Sequence, residues 1–139
     1  MVQLIVGVKG KGKTKVLLDK VNSQIQTVEG NVAYLDKNTK HMYELNNKIR
    51  LIDVSEYSLK NADQFVGFIQ GIISQDHDLQ QMYLDSFLKI ASLEGKDITE
   101  TIQKLEAISE KYKVDFTVNV SLDETEIPEA VKSLVEVSL

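Results

Sequence analysis

Four lysines alternate through a segment that reads Gly7-Val8-Lys9-Gly10-Lys11-Gly12-Lys13-Thr14-Lys15, so that dense positive charge meets very little side-chain bulk. A loop of that kind is built to hold an anion, and phosphate is the first candidate. Gly7, four residues and then Gly12-Lys13-Thr14 match the spacing of a phosphate-binding loop, in which backbone N–H groups freed by glycine wrap the phosphate. On that pattern Gly7, Gly10 and Gly12 form the cradle, Lys13 reaches the outer phosphates as the catalytic charge, and the Thr14 hydroxyl ligates magnesium. Lys9, Lys11 and Lys15 raise the local positive potential. The competing reading is a glycine turn ahead of a surface helix with solvated lysines. The flanking pattern weighs against it, because an apolar strand precedes the loop and a helical repeat follows.

A magnesium nucleotide site needs a further carboxylate at the end of a neighbouring strand. Gln81-Met82-Tyr83-Leu84 closes on Asp85, the candidate for the second metal-binding side chain. Asp36 and Asp53 also follow apolar runs and compete for the role. Asp85 is preferred because its strand follows the long crossover helix.

The elements that must carry these groups follow from periodicity. Val2 to Val6 is a buried strand; Val16, Leu17, Val21 and Ile25 then recur at helical spacing from Lys13 to about Gln26. Val32 to Leu35 makes a second strand ending at Asp36, Thr39 to Leu45 a short helix or strand with Met42 and Leu45 inward, and Ile49 to Val54 a third strand. Asn61 or Ser58 caps a helix with Phe65, Phe68, Ile69, Ile72 and Ile73 on its inner face, ending near Asp76. After the fourth strand, Thr99, Ile102, Leu105 and Ile108 mark another helix to about Lys111, and Val114 to Val120 a fifth strand. Pro128 opens a last helix running to about Val137. Strands alternating with helices of this length specify an α/β fold with a mainly parallel sheet.

The totals limit the alternatives. Residues 1–139 have room for a single domain whose core needs no covalent staple. With no cysteine and only His41 and His77, thiolate chemistry and structural zinc are set aside. A net charge of −5 argues against general nucleic-acid binding. No apolar run approaches the ~20 residues of a membrane span, and a cytoplasmic location is expected by default.

On Gly7 to Thr14 and Tyr83-Leu84-Asp85-Ser86, the chain resembles the RecA-like class of P-loop NTPases and, more distantly, PilT-type ATPases, over residues 2–121. The resemblance implies a three-layer α/β/α sandwich with a five-stranded sheet in the order 3-2-4-5-1. It casts Gly7 to Thr14 as the Walker A loop, Asp85 as the Walker B acid, and Asn119 or Ser121 as a sensor near the outer phosphate. ATP and Mg²⁺ are the implied cofactors. Two departures matter. Recombinases of the class end the second strand Asp-x-Glu, and here Asn38 stands at the glutamate's place; other members put glutamate directly after the Walker B acid, where this chain has Ser86. Asp36 is the remaining carboxylate for a base, or else a cap for the following turn. Arg50 is the only arginine, too few for a small-molecule kinase. The expected function is therefore an ATP-binding switch or accessory module with weak or partner-stimulated ATPase activity, in which a protein partner or second copy supplies the missing charge; the alternative is an autonomous ATPase or small-molecule kinase. No guanine-reading Asn-Lys-x-Asp motif follows the fifth strand, so ATP is the default nucleotide.

Overall fold

The apolar run Val2–Val6 forms strand β1, and left-handed Gly12 turns the chain into helix α1 (Lys13–Gln24) without a side-chain cap. A computed structural model describes all of residues 1–139. The order continues β2 (Asn31–Asp36), β3 (Arg50–Asp53), α2 (Ala62–Ser74), β4 (Leu79–Leu84), α3 (Phe87–Ile90), α4 (Thr99–Tyr112), β5 (Asp115–Val120) and β6 (Val135–Ser138). Local chemistry sets the helix starts. The Asn61 side chain accepts from the Gln64 N–H at 2.9 Å to begin α2, whereas α4 begins after Ile98 without a side-chain cap, at a turn in which Asp97 accepts from the Thr99 N–H.

Every strand pairing is parallel, and the sheet runs β3-β2-β4-β5-β1-β6. The expected 3-2-4-5-1 order is present, with a sixth strand added beside β1. Alternation along the strands divides the core. Leu4, Leu35, Met82, Leu84, Phe116 and Val118 face α2, α3 and α4, whereas Ile5, Val32, Tyr34 and Tyr83 face Leu17, Leu18 and Val21 of α1. The result is a three-layer sandwich with one helix on one face and three on the other.

Three expectations need correction, and one element was not foreseen. The sheet has six strands, not five, because residues 135–138 pair with β1. The last helix is instead a 3₁₀ segment, Glu129–Leu134, whose buried Val131 faces the core before the chain straightens. Residues 42–44 form one 3₁₀ turn, and Met42 points out, 46% exposed, while Leu45 does pack on the α1 side. A short α3 that periodicity did not mark follows directly on Asp85 and Ser86.

Candidate functional site

The parallel register brings the polar residues into one row at the carboxyl edge of the sheet. Leu35 lies opposite Leu84, Leu84 opposite Val118, and Asn119 opposite Ile5, so Asp36, Asp85 and Asn119 sit side by side with the loop after β1. Each shares its strand's parity with Tyr34, Tyr83 or Thr117 and so faces α1, the helix that carries Thr14. All three are buried.

Asp85 is the hub. Its Oδ1 accepts from the Thr14 hydroxyl at 3.3 Å, from the Asn119 amide at 3.2 Å and from the Ser86 N–H at 2.9 Å. Its Oδ2 accepts from the Tyr34 hydroxyl at 2.7 Å. Burial, and then the charge of Asp85, push the Tyr34 phenol far above its ordinary range, so it is a permanent donor.

Lys13 is 7% exposed, and its ammonium donates to the Val8 carbonyl of its own loop at 3.2 Å. Burial lowers its pKa and the nearby Asp85 charge raises it, with burial the larger effect. Gly10 (φ +89°) and Gly12 (φ +93°) hold left-handed backbone, and space is open where a Cβ would lie at either. Gly7 is different: its N–H is tied to the Leu122 carbonyl at 2.8 Å, and an added Cβ would press on Leu139 at 3.1 Å. It anchors the loop to the sheet. Lys9, Lys11 and Lys15 are exposed around the rim, with Lys15 paired to Asp19.

Asp36 accepts from the Lys37 N–H at 2.7 Å and from the Ser86 hydroxyl at 3.2 Å, both on Oδ1. Burial first, and Asp85 second, raise its pKa, and the bond from Lys37 partly offsets them. Ser86 adopts a left-handed backbone (φ 54°, ψ 42°), uncommon for a residue with a Cβ, and so turns both its N–H and its hydroxyl toward the two carboxylates. Asp53 lies opposite Asp36 at the outer end of the same row, but its carboxylate caps Ser55 and makes no bond to the cluster. Asn38, at the place of the absent glutamate, receives the Lys40 N–H in a turn. Ser121, the alternative to Asn119, is exposed.

The groups present suit a magnesium-bound polyphosphate. Buried Asn119 Oδ1 has no partner in the protein, Lys13 has one weak acceptor, and nothing crowds the space beside Gly10 and Gly12. No cluster of three His, Cys, Asp or Glu converges anywhere in the chain. Thr14 and Asp85 could supply two oxygen donors to a hard cation of the kind otherwise held by water and substrate phosphates.

Two side chains at the hub escaped sequence reading as functional. Tyr34 read as strand core, and only its register against β4 reveals the phenol's target; Ser86 read as a missing base, with nothing in the sequence to signal its left-handed backbone.

Comparison with known proteins adds the fold. No family model matches the chain, and no curated protein matches it. Among solved structures it is similar to a KaiC-like protein from the hyperthermophilic archaeon Pyrococcus horikoshii OT3, at 17% identity and a TM-score of 0.66, over 95% of this chain and 67% of that one. At that identity the likeness is one of architecture.

Proposed function

We propose that this chain binds ATP with magnesium at the carboxyl edge of the sheet and acts as a nucleotide-dependent switch or accessory module. The observation that carries the reading is the convergence of Thr14, Asn119 and Asp85 beside buried Lys13, at the start of a helix whose positive dipole end faces the same point. Gly10 and Gly12 supply backbone N–H donors to the phosphates, Lys13 leaves Val8 for a phosphate oxygen, and Lys9, Lys11 and Lys15 steer the anion in. Thr14 and Asp85 would hold the magnesium ion, which when bound neutralises charge between the outer phosphates. Asn119 would offer its free oxygen as an acceptor to a water beside the terminal phosphate or on the cation, and Asp36 is the carboxylate that would orient an attacking water.

Weak intrinsic hydrolysis is part of the proposal. Arg50 begins β3 at the amino edge of the sheet and pairs with Asp76 at 2.8 Å, so the chain's single guanidinium lies at the opposite end from the nucleotide. That placement also counts against a small-molecule kinase. A protein partner or second copy of the chain would supply the missing positive charge. No helix of the structure is long and apolar enough to cross a membrane.

Calorimetric titration with ATP and GTP in magnesium tests the reading. Lys13→Ala should weaken ATP binding by about 1.5–3 kcal/mol, the worth of a charge-assisted hydrogen bond. Equal affinity in wild type and variant refutes the phosphate loop. Asp85→Asn should bind as wild type does in chelator yet lose most of the gain that magnesium gives.

A further inference from the structure

The shortest bond to Asp85 comes from a residue that the nucleotide reading does not use. Oδ1 is shared by three donors at 2.9–3.3 Å, whereas Oδ2 has one partner in the protein, the Tyr34 hydroxyl at 2.7 Å. The terminal torsion of an aspartate is soft, so its hydrogen-bond partners decide where the two oxygens point, and for Oδ2 that partner is Tyr34 alone. The Tyr34 ring cannot move to follow, since it has no exposed surface and packs among Ile5, Leu17, Val21 and Ile49. Leu17 and Val21 belong to α1, the helix that carries Thr14. One ring thereby ties the carboxylate that follows β4 to the helix that presents the hydroxyl.

We propose that Tyr34 is a positioning residue for the divalent cation: its hydroxyl occupies Asp85 Oδ2, leaves Oδ1 turned toward Thr14, and so sets how far magnesium strengthens nucleotide binding. This rests on the magnesium nucleotide reading of the site. With Tyr34→Phe the ring stays in its apolar setting, Oδ2 loses its partner, and the carboxylate turns toward whichever donor is nearest.

ATP titrations in excess Mg²⁺ and in chelator, on wild type, Tyr34→Phe, Asp85→Asn and the double variant, test the proposal. Tyr34→Phe should bind ATP within about twofold of wild type in chelator and about tenfold more weakly in magnesium, the loss expected for one hydrogen bond to a charged group. The same substitution in the Asp85→Asn background should remove nothing further, because Tyr34 acts through that carboxylate. Mn²⁺ binding to the ATP complex, followed by electron paramagnetic resonance, should weaken in parallel and reads the cation without turnover. A loss that is equal with and without magnesium marks Tyr34 as a packing residue and overturns the proposal, as does an undiminished magnesium gain. Wild type that gains nothing from magnesium refutes the site reading itself, a different failure. Should Tyr34→Phe not fold, wild-type protein carrying 3-fluorotyrosine keeps the ring and changes the donor strength; an unchanged magnesium gain there overturns the proposal.

Discussion

Asp36 stores a cost that its neighbours only partly offset. It is 3% exposed, close enough to Asp85 to feel that charge, and stabilised as an anion by one N–H and one hydroxyl. Burial, then Asp85, raise its folded pKa above the unfolded value of about 3.9. The native state therefore holds the proton more tightly than the unfolded chain. The stabilisation is complete below the unfolded pKa and is lost as pH rises through the folded one. Asn at this position keeps an oxygen for both donors and carries no charge. In metal-free buffer Asp36→Asn should thus melt above wild type at neutral pH, with the difference shrinking toward pH 3.5; thermal melts across that range check it, and parallel curves would show that Asp36 carries no buried charge. At the residue scale the sequence marked Lys13, Thr14 and Asp85 as candidates, because a loop motif and an acid closing a hydrophobic run are local patterns, and the structure brings Thr14 and Asp85 together. Tyr34 and the pairing of Asp36 with Ser86 were not legible, since both depend on how β2 lies against β4 and on one left-handed residue.

Among the elements, the turn from α1 into β2 is the most tightly specified. An added Cβ on Gly30 would lie 2.1 Å from the Asp78 carbonyl, the same oxygen that accepts the Asn31 N–H at 2.7 Å. Backbone cannot yield there as a side-chain tip can, and the start of β2 must part from the start of β4. Gly30→Ala should cost about 1–3 kcal/mol of stability by overpacking, measured as a lower midpoint in urea. Gly12→Ala meets open space and should cost only its left-handed backbone, about 1–2 kcal/mol, while damaging nucleotide binding more than folding. An order of damage to the fold in which Gly12 greatly exceeds Gly30 would contradict this. Strands β1 to β5 were readable because each carries apolar residues and four of them run into glycine or aspartate, at Gly7, Asp36, Asp53 and Asp85. Strand β6 was not: Pro128 signals a helix start as readily as a 3₁₀ turn, and Val131, Leu134, Val135 and Val137 fit both periods. Only the free edge of β1 decides, by offering unpaired backbone groups to the returning chain.

For the molecule as a whole, the distribution of charge bears on how fast it could turn ATP over. Positive groups crowd the Gly7–Thr14 loop, yet they are lysines, and the one arginine is committed to Asp76 at the far edge of the sheet. A lysine is a point charge, and it does not reproduce the forked contacts by which an arginine finger accelerates phosphoryl transfer about 10³–10⁵-fold. General-base help is worth about 10²–10⁴-fold, and the two places where the class that the sequence resembles carries a glutamate hold Asn38, bound into a turn, and Ser86, bound to Asp36. On the proposed reading the isolated chain should bind ATP and release phosphate slowly, at roughly 10⁻⁴ to 10⁻³ per second, the unstimulated small-GTPase range, not the 1–100 per second of kinases. Asp36→Asn belongs in the same assay, because a further drop would show that this carboxylate already assists the water. Phosphate release above about one per second over many turnovers, undiminished by stringent repurification, would replace the switch with an autonomous ATPase. A slow basal rate that rises on adding a protein bearing an exposed arginine would place the missing charge where the proposal puts it, on a partner.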